Sequence, residues 1–418
     1  MDIEKTEETV RKKERYVIWL ISSAHFFSHF YLLTLPPLFL AMKEDLNVTF
    51  TELGVIVSVY AVGSFSGQYP MGVFADKYGP RWLLIFGMLT VSTAILLMGL
   101  FPFYWVMVGL ALIAGWGDSV FHPADFVVLT ASVHPKRSGR AYATHAFSGF
   151  AGFAAAPVVV DFLRAEWSWQ FALIVVGVCG LIMTMVLLSN KKILIGEDEA
   201  THGSADKSQP GKSMGVFEFF KYPPILILFF FYVAVALGGQ GIQQFSPSAL
   251  PQVFDIELST ANHILFVYMA GISAGVLVGG YIADKVQRME LVATVGYLIS
   301  IIMVCLIGMN FMRFTLAAIA LVVAGFMSGI VMPSRDVLVR AVTPKGNAGK
   351  AFGFVNSGFG FGGMVAPIIY GGIMDSGVVT NIYFATAVFM FFAIVTAVAA
   401  GRYARTSTAA QPADKLPE

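Results

Sequence analysis

Residues 121–157 read FHPADFVVLTASVHPKRSGRAYATHAFSGFAGFAAAP, and residues 331–367 read VMPSRDVLVRAVTPKGNAGKAFGFVNSGFGFGGMVAP. His122-Pro123 matches Met332-Pro333, Gly139-Arg140-Ala141 matches Gly349-Lys350-Ala351, and Ala156-Pro157 matches Ala366-Pro367. A second pair of segments repeats in the same order, since Gly72-Val-Phe-Ala-Asp76-Lys77 is echoed by Gly280-Tyr-Ile-Ala-Asp284-Lys285. Two separate echoes in one order mean that the chain is built from two homologous halves.

The composition says what each half is made of. Hydrophobic residues make up 57% of the chain and charged residues 13%, and mean hydropathy is +0.73, whereas a soluble domain is roughly a quarter charged. A soluble fold could not hide that much apolar surface. Apolar runs of about twenty residues, the length that crosses a bilayer as a helix, recur along nearly the whole chain. They place spans at 16–42, 51–75, 81–101, 103–132, 138–162 and 168–190, then at 222–247, 260–284, 289–308, 313–340, 348–374 and 379–402. The expected fold is an all-α membrane protein of twelve transmembrane helices in two pseudo-symmetric six-helix halves, 16–190 and 222–402. An N-terminal segment (1–15), a polar linker (191–221) and a tail (403–418) complete it. The linker carries GEDEATHGSADKSQPGK and cannot bury a core. The first apolar run is too long for a signal-peptide core and has no small-residue cleavage site, so it is expected to remain as the first span.

Charge placement tests that topology. With twelve spans, both termini and the linker fall on one side. All but four of the 27 basic residues fall there too, the exceptions being Lys43, Arg164, Arg313 and the intramembrane Arg335. Such asymmetry assigns that side to the cytoplasm. The net charge of +1 leaves no general basic surface, so nucleic acid is not an expected partner. Cys179 and Cys305 each lie inside an apolar run with no nearby His or Cys at ligand spacing, so neither a disulfide nor a metal site is expected.

The most specific motif is Gly72-Val-Phe-Ala-Asp76-Lys77-Tyr-Gly79-Pro-Arg81, between spans two and three. Gly72 would permit close helix approach and Gly79 a tight turn, while Asp76 could face a helix N-terminus. The motif resembles the signature G-x-x-x-D-R/K-x-G-x-R/K of the major facilitator superfamily, and the resemblance extends from Tyr16 to Arg402. It implies a cytoplasmic gate at Gly72, Asp76, Lys77, Gly79 and Arg81, repeated at Asp284 and Lys285. SHFYLLTLPPLF from Ser28, TFTELGVIVSVY from Thr49 and SVFHP ending at Pro123 resemble the fosmidomycin-resistance branch of exporters. Drug antiporters carry G-x-x-x-G-P-x-x-G-G in span five. Here Gly149-Phe-Ala-Gly152-Phe-Ala-Ala-Ala-Pro157 has altered spacing and lacks the closing glycine pair.

Polar residues inside a membrane are costly and by default mark a pathway. His25 and His29 share a face of span one. Asp118, His122 and Asp125, at i, i+4 and i+7, share a face of span four. Span seven adds Gln240, Gln243 and Gln244, and span ten adds Arg335 and Asp336. The family resemblance implies that these four spans line a central cavity. His145 and His263 are expected as hydrogen-bonded packing residues. Asp125 and Arg335 match by position in the repeat, and an ion pair joining the halves stands beside substrate contact as their reading. Histidine titrates near neutral pH, so Asp118 with His122 is the expected proton-coupling pair. The glycines and proline of span eleven, Gly358, Gly360, Gly362, Gly363 and Pro367, are expected to allow close packing and bending.

Taken together, these residues predict a secondary transporter and not an enzyme, with no cofactor, embedded in a lipid bilayer and acting as a monomer. Its substrate would be a small organic solute, moved by rocking of the halves, with H+ as the candidate coupling ion and Na+ or facilitated diffusion left open. Arg335 favours a carboxylate or phosphonate, which guanidinium pairs bidentately. A drug exporter is the alternative, and a non-transporting membrane sensor the remote one.

Overall fold

The computed structural model describes residues 2–134, 137–194, 216–343 and 348–409, with the side chains of 2–7, Asp76, 216–217, 348–349 and 406–409 outside the description. Most of the expected linker and the end of the tail therefore lie outside the described residues, as do Lys136 and Lys345 of the basic set. In chain order the helices are α1 (Asp2–Leu32), α2 (Phe39–Leu46), α3 (Phe50–Tyr78), α4 (Pro80–Leu100), α5 (Tyr104–Asp118), α6 (Phe121–Ser132), α7 (Ser138–Glu166) and α8 (Trp169–Ser189). There follow α9 (Val216–Phe219), α10 (Pro223–Phe254), α11 (Leu258–Ala283), α12 (Met289–Gly308), α13 (Phe314–Val342), α14 (Ala348–Asp375) and α15 (Asn381–Ala409). Among the described residues, twelve stretches are long and apolar enough to cross a membrane. Helix is the expected solution in hydrocarbon, where each backbone N–H and C=O must be satisfied within its own segment.

The chain packs as two compact units, one of Met1–Ala205 with Ile256–Phe266 and the other of Asp206–Asp255 with Val267–Glu418. The two units share three internal pairings. In the first, α1 packs on α7, α4 on α8 and α4 on α5; in the second, α10 packs on α14, α12 on α15 and α12 on α13. The closest helix approaches recur as well. A Cβ on Gly115 would lie 2.1 Å from the Tyr60 carbonyl oxygen and one on Gly63 2.5 Å from that of Leu112, while at the matching positions one on Gly325 would meet the Tyr268 carbonyl oxygen at 2.7 Å and one on Gly271 that of Val322 at 3.1 Å. Small residues at these points let the helix backbones touch, the usual means of association where lipid removes the hydrophobic drive. Two left-handed residues also correspond: Asn47 (φ 51°) ends α2 and Asp255 (φ 52°) ends α10.

Several element ends depart from the expected spans, each for a local reason. Span one is not a single helix, because Pro36 and Pro37 open a 3-10 turn, Pro36–Leu38, between α1 and α2. Span four breaks at Ser119 and Val120. Pro123 has no N–H to return to the Ser119 carbonyl, and the Ser119 hydroxyl bonds the Trp116 carbonyl at 2.7 Å. The equivalent Pro333 lies inside the unbroken α13. Around the break the first half has Gly117, Asp118 and Ser119 where the second has Met327, Ser328 and Gly329. Span seven runs on to Phe254 through Pro247 and Pro251. Residues 244–250 are all buried, and tertiary packing there outweighs the lost backbone bonds. Thr49 starts α3 with a capping box: its hydroxyl accepts from the Glu52 N–H at 3.1 Å and the Glu52 carboxylate accepts from the Thr49 N–H at 2.7 Å, satisfying two otherwise orphan donors.

Candidate functional site

The first unit gathers most of the ionisable residues of its spans at one place. His25 and His29 stand one turn apart on α1 and point the same way. The break after α5 starts α6 afresh, so that His122 and Asp125 face α1, and α7 supplies His145. Asp125 is fully buried, His25 is 2% exposed and His145 3%. Asp125 Oδ2 lies 3.5 Å from His25 Nδ1 and 3.7 Å from His145 Nε2. The His25 and His145 rings stack at 3.8 Å, the His29 ring is 4.3 Å from that of His25, and the His122 ring is 5.2 Å from it. His122 itself is exposed and His29 half-buried. Both Asp125 oxygens, both nitrogens of His145 and of His29, and Nδ1 of His25 are buried without a hydrogen-bond partner.

Gly149 makes room for this group. A Cβ there would stand 2.8 Å from His25 Nε2 and 2.9 Å from His29 Nδ1. Any side chain at that position would have to displace an imidazole.

Two expectations need correction. Asp118 does not pair with His122: at the end of α5 its two oxygens accept from Ser28 Oγ at 2.6 Å and Ser64 Oγ at 3.0 Å. Reading 118, 122 and 125 as one face assumed an unbroken helix, and the break at 119–120 gives Asp118 to α1 and α3 while His122 joins the other histidines. His145 is not a hydrogen-bonded packing residue; it stacks on His25 beside Asp125. His263 does meet the Ser259 carbonyl of its own helix at 2.6 Å. The sequence expectation also does not foresee that donor atoms of His25, Asp125 and His145, far apart in sequence, lie within 4.8 Å of one another.

In the second unit the expected residues form two groups. On α10, Gln244 Nε2 donates to Gln240 Oε1, with Gln244 buried and Gln243 half-buried. On α13, Arg335 Nε donates to Asp336 Oδ1 at 3.1 Å, and its guanidinium lies 4.6 Å over the Tyr232 ring. Tyr232 Oη donates to the same Asp336 oxygen at 2.8 Å. Asp125 lies beside His25 and His145, and Arg335 pairs with Asp336, each within its own unit. Arg335 is held on one edge by a carboxylate and on one face by an aromatic ring, an arrangement that presents its terminal N–H fork in a fixed direction.

The motif between spans two and three is only partly explained by sterics. Gly79 (φ 79°) caps α3 and needs glycine, and Pro80 opens α4 directly after it. Gly72 is not required for close approach, because a Cβ there would meet only Pro123 at an ordinary 3.8 Å. Lys77 lies over the Tyr78 ring at 5.1 Å, Arg81 is half-buried in the first turn of α4, and Asp284 is exposed. Lys285 sits over Tyr281. The Asp76 side chain lies outside the described residues.

Charged contacts that sequence reasoning missed brace each unit. Glu14 on α1 accepts from Arg137 Nε at 2.7 Å and Nη2 at 2.8 Å and from the His134 N–H at 3.1 Å. In the second unit Glu290 accepts from Arg288 at 3.3 Å and from Arg405. Each of these acids stood in a short run of mixed charges with nothing to single it out.

Twelve apolar helices in two repeated bundles, with ionisable residues deep in the helices, define a multi-pass membrane protein of the secondary-transporter class. The Major Facilitator Superfamily model matches residues 19–261 and 232–417, and the chain belongs to that family. It is 22% identical over 365 residues to the fosmidomycin resistance protein of Escherichia coli K12, covering 84% of this chain and 85% of that one. It is 24% identical over 358 residues to a probable sulfoacetate transporter of Cupriavidus necator, covering 80% and 81%. The fold matches that of a bacterial homologue of the human lysosomal transporter Spinster, with a TM-score of 0.77 at 13% identity over 96% of this chain and 99% of that one. The chain is thus a transporter of a small solute working by alternating access, embedded in a bilayer of the bacterial plasma-membrane type, and its resemblance is to transporters and not to enzymes.

Proposed function

We propose that the chain is a proton-coupled transporter of a small organic anion, with Arg335 as the anion-recognition residue and Asp118 as the proton site. The observation that carries this is the setting of Arg335: a guanidinium inside a membrane helix, anchored by Asp336 and Tyr232 through one edge and one face, which leaves the fork for a carboxylate, sulfonate or phosphonate. The similarity to a probable sulfoacetate transporter supports an anionic solute. Asp118 supports the coupling step, being a buried carboxylate held by two serine hydroxyls. Hydroxyls can hydrogen-bond the acid in either protonation state. His122, Gln240, Gln243 and Gln244 are the remaining polar residues of the pathway in this reading, and Gly79, Lys77, Arg81, Asp76, Asp284 and Lys285 belong to its cytoplasmic gate. In this reading both termini lie in the cytoplasm of a bacterium, supported by the concentration of basic residues on one side, and a single chain is the transporting unit.

The similarity to a fosmidomycin resistance protein favours one second reading, export of a toxic compound by the same machinery. A thermal-shift screen of the purified protein against carboxylates, sulfonates, phosphonates and antimicrobials separates the two, because a specific ligand raises the stability of the folded state by mass action. The anion reading expects a carboxylate, sulfonate or phosphonate to stabilise the wild type and Arg335→Lys to weaken that ligand by about tenfold, since it loses bidentate geometry. Stabilisation only by neutral or cationic drugs, or an anion bound equally by Arg335→Lys, overturns it.

A further inference from the structure

We infer that His25, Asp125 and His145 form a binding site for a divalent d-block cation of the zinc, cobalt and nickel class. The inference rests on residues other than Arg335 and Asp118, so it stands apart from the anion and proton readings. Two imidazoles and one carboxylate are a donor set suited to these ions. A tetrahedral ion bound at about 2.0–2.1 Å to each ligand sets the ligand atoms a little over 3 Å apart. Asp125 Oδ2 is already 3.5 Å from His25 Nδ1 and 3.7 Å from His145 Nε2, too long for hydrogen bonds but within small side-chain adjustments of shared coordination.

Burial and satisfaction point the same way. All three side chains are more than nine-tenths buried, and both Asp125 oxygens, His25 Nδ1 and both His145 nitrogens lack a hydrogen-bond partner. Buried polar groups are normally paired, and unpaired donor atoms of three residues gathered within 4.8 Å of one another are matched by one cation once the stacked His25 and His145 rings tilt toward it. Among the described residues, no arginine or lysine pairs with Asp125 to compete for the carboxylate.

The surroundings supply an entry route and a reason for exchange. His122 is exposed and its ring lies 5.2 Å from that of His25, with half-buried His29 beside both, so these two histidines form a path inward and can complete the coordination. Metal-binding histidines in permanent sites donate their second N–H to an outer partner, which His145 lacks. The site is therefore suited to an ion that comes and goes. Gly149 keeps space at the back of the His25 and His29 rings.

The test uses full-length protein carrying no histidine tag, in nanodiscs, dialysed against Co2+ or Zn2+ and assayed for bound metal. The expected result is one equivalent per chain, with a visible Co2+ spectrum of a four- or five-coordinate nitrogen and oxygen site. His25→Ala, Asp125→Asn and His145→Ala should each weaken binding by at least about tenfold, the smallest effect typical of disturbing a metal's ligand shell, while His263→Ala should leave it unchanged. Wild-type protein that binds no stoichiometric metal overturns the inference without any variant needing to fold. So does binding that survives in folded His145→Ala or is lost in His263→Ala. Neither failure bears on anion binding at Arg335.

Discussion

Glycine positions that look alike in the sequence divide sharply once a Cβ is imagined on each. Gly115 faces the Tyr60 carbonyl at 2.1 Å, whereas Gly72 of the charged motif has ordinary space. Gly115→Ala is expected to lower stability by about 1–3 kcal/mol, the usual cost of overpacking. Gly72→Ala should stay within about 1 kcal/mol of wild type or gain slightly, since alanine favours a helix interior. Thermal unfolding of the two purified variants measures the difference. Gly149→Ala is expected to keep the fold and reduce transport, because its Cβ must push aside the imidazole of His25 or His29. A variant with full transport would show that the rings are not held where the structure has them. At this scale the sequence was legible for residue types and not for partners. His25, His29, His122 and Asp125 stood out as ionisable groups in apolar runs. His145 did too, but only the fold reveals that α7 delivers it to Asp125, and no local pattern separates Gly149 from its neighbours.

Among the elements, the interrupted fourth span decides which residues meet. Its break separates Asp118, which bonds to Ser28 and Ser64, from His122 and Asp125, which face the other histidines. Pro123→Ala restores an N–H that can reach the Ser119 carbonyl and is expected to favour a continuous helix. Transport should fall while the thermal midpoint holds or rises. A lower midpoint with intact transport would mean that the break is incidental. Thr49→Ala removes one side of the capping box on α3 and should cost about 1 kcal/mol, read from the same unfolding measurement. Hydropathy found all twelve spans because length and apolarity in lipid leave few alternatives. It missed their interruptions and ends, since Pro123 breaks one helix while Pro333, Pro247 and Pro251 sit inside others. What decides is the neighbouring residue and the packing, neither of which periodicity records.

For the whole molecule, the internal repeat was the most informative reading, and each unit bears it out in its own packing, down to the paired glycines and the left-handed Asn47 and Asp255. The halves have nevertheless diverged in chemistry. Within the spans the first concentrates histidine and aspartate, the second glutamine and the Arg335–Asp336 pair, and the repeat alignment that set Asp125 against Arg335 gave no sign that each has neighbours of this kind in its own unit. A substrate-recognising half and a cation-handling half are what that division supports, and the coupling between them is the central claim. Proteoliposomes containing a pH-sensitive dye test it directly, using the anion that stabilises the purified protein. The account predicts that adding this anion drives a proton flux in wild-type vesicles, that Asp118→Asn abolishes the flux while the anion still binds, and that Arg335→Lys lowers both together. Anion movement at full rate without any proton flux, or an undiminished flux in Asp118→Asn, would contradict it.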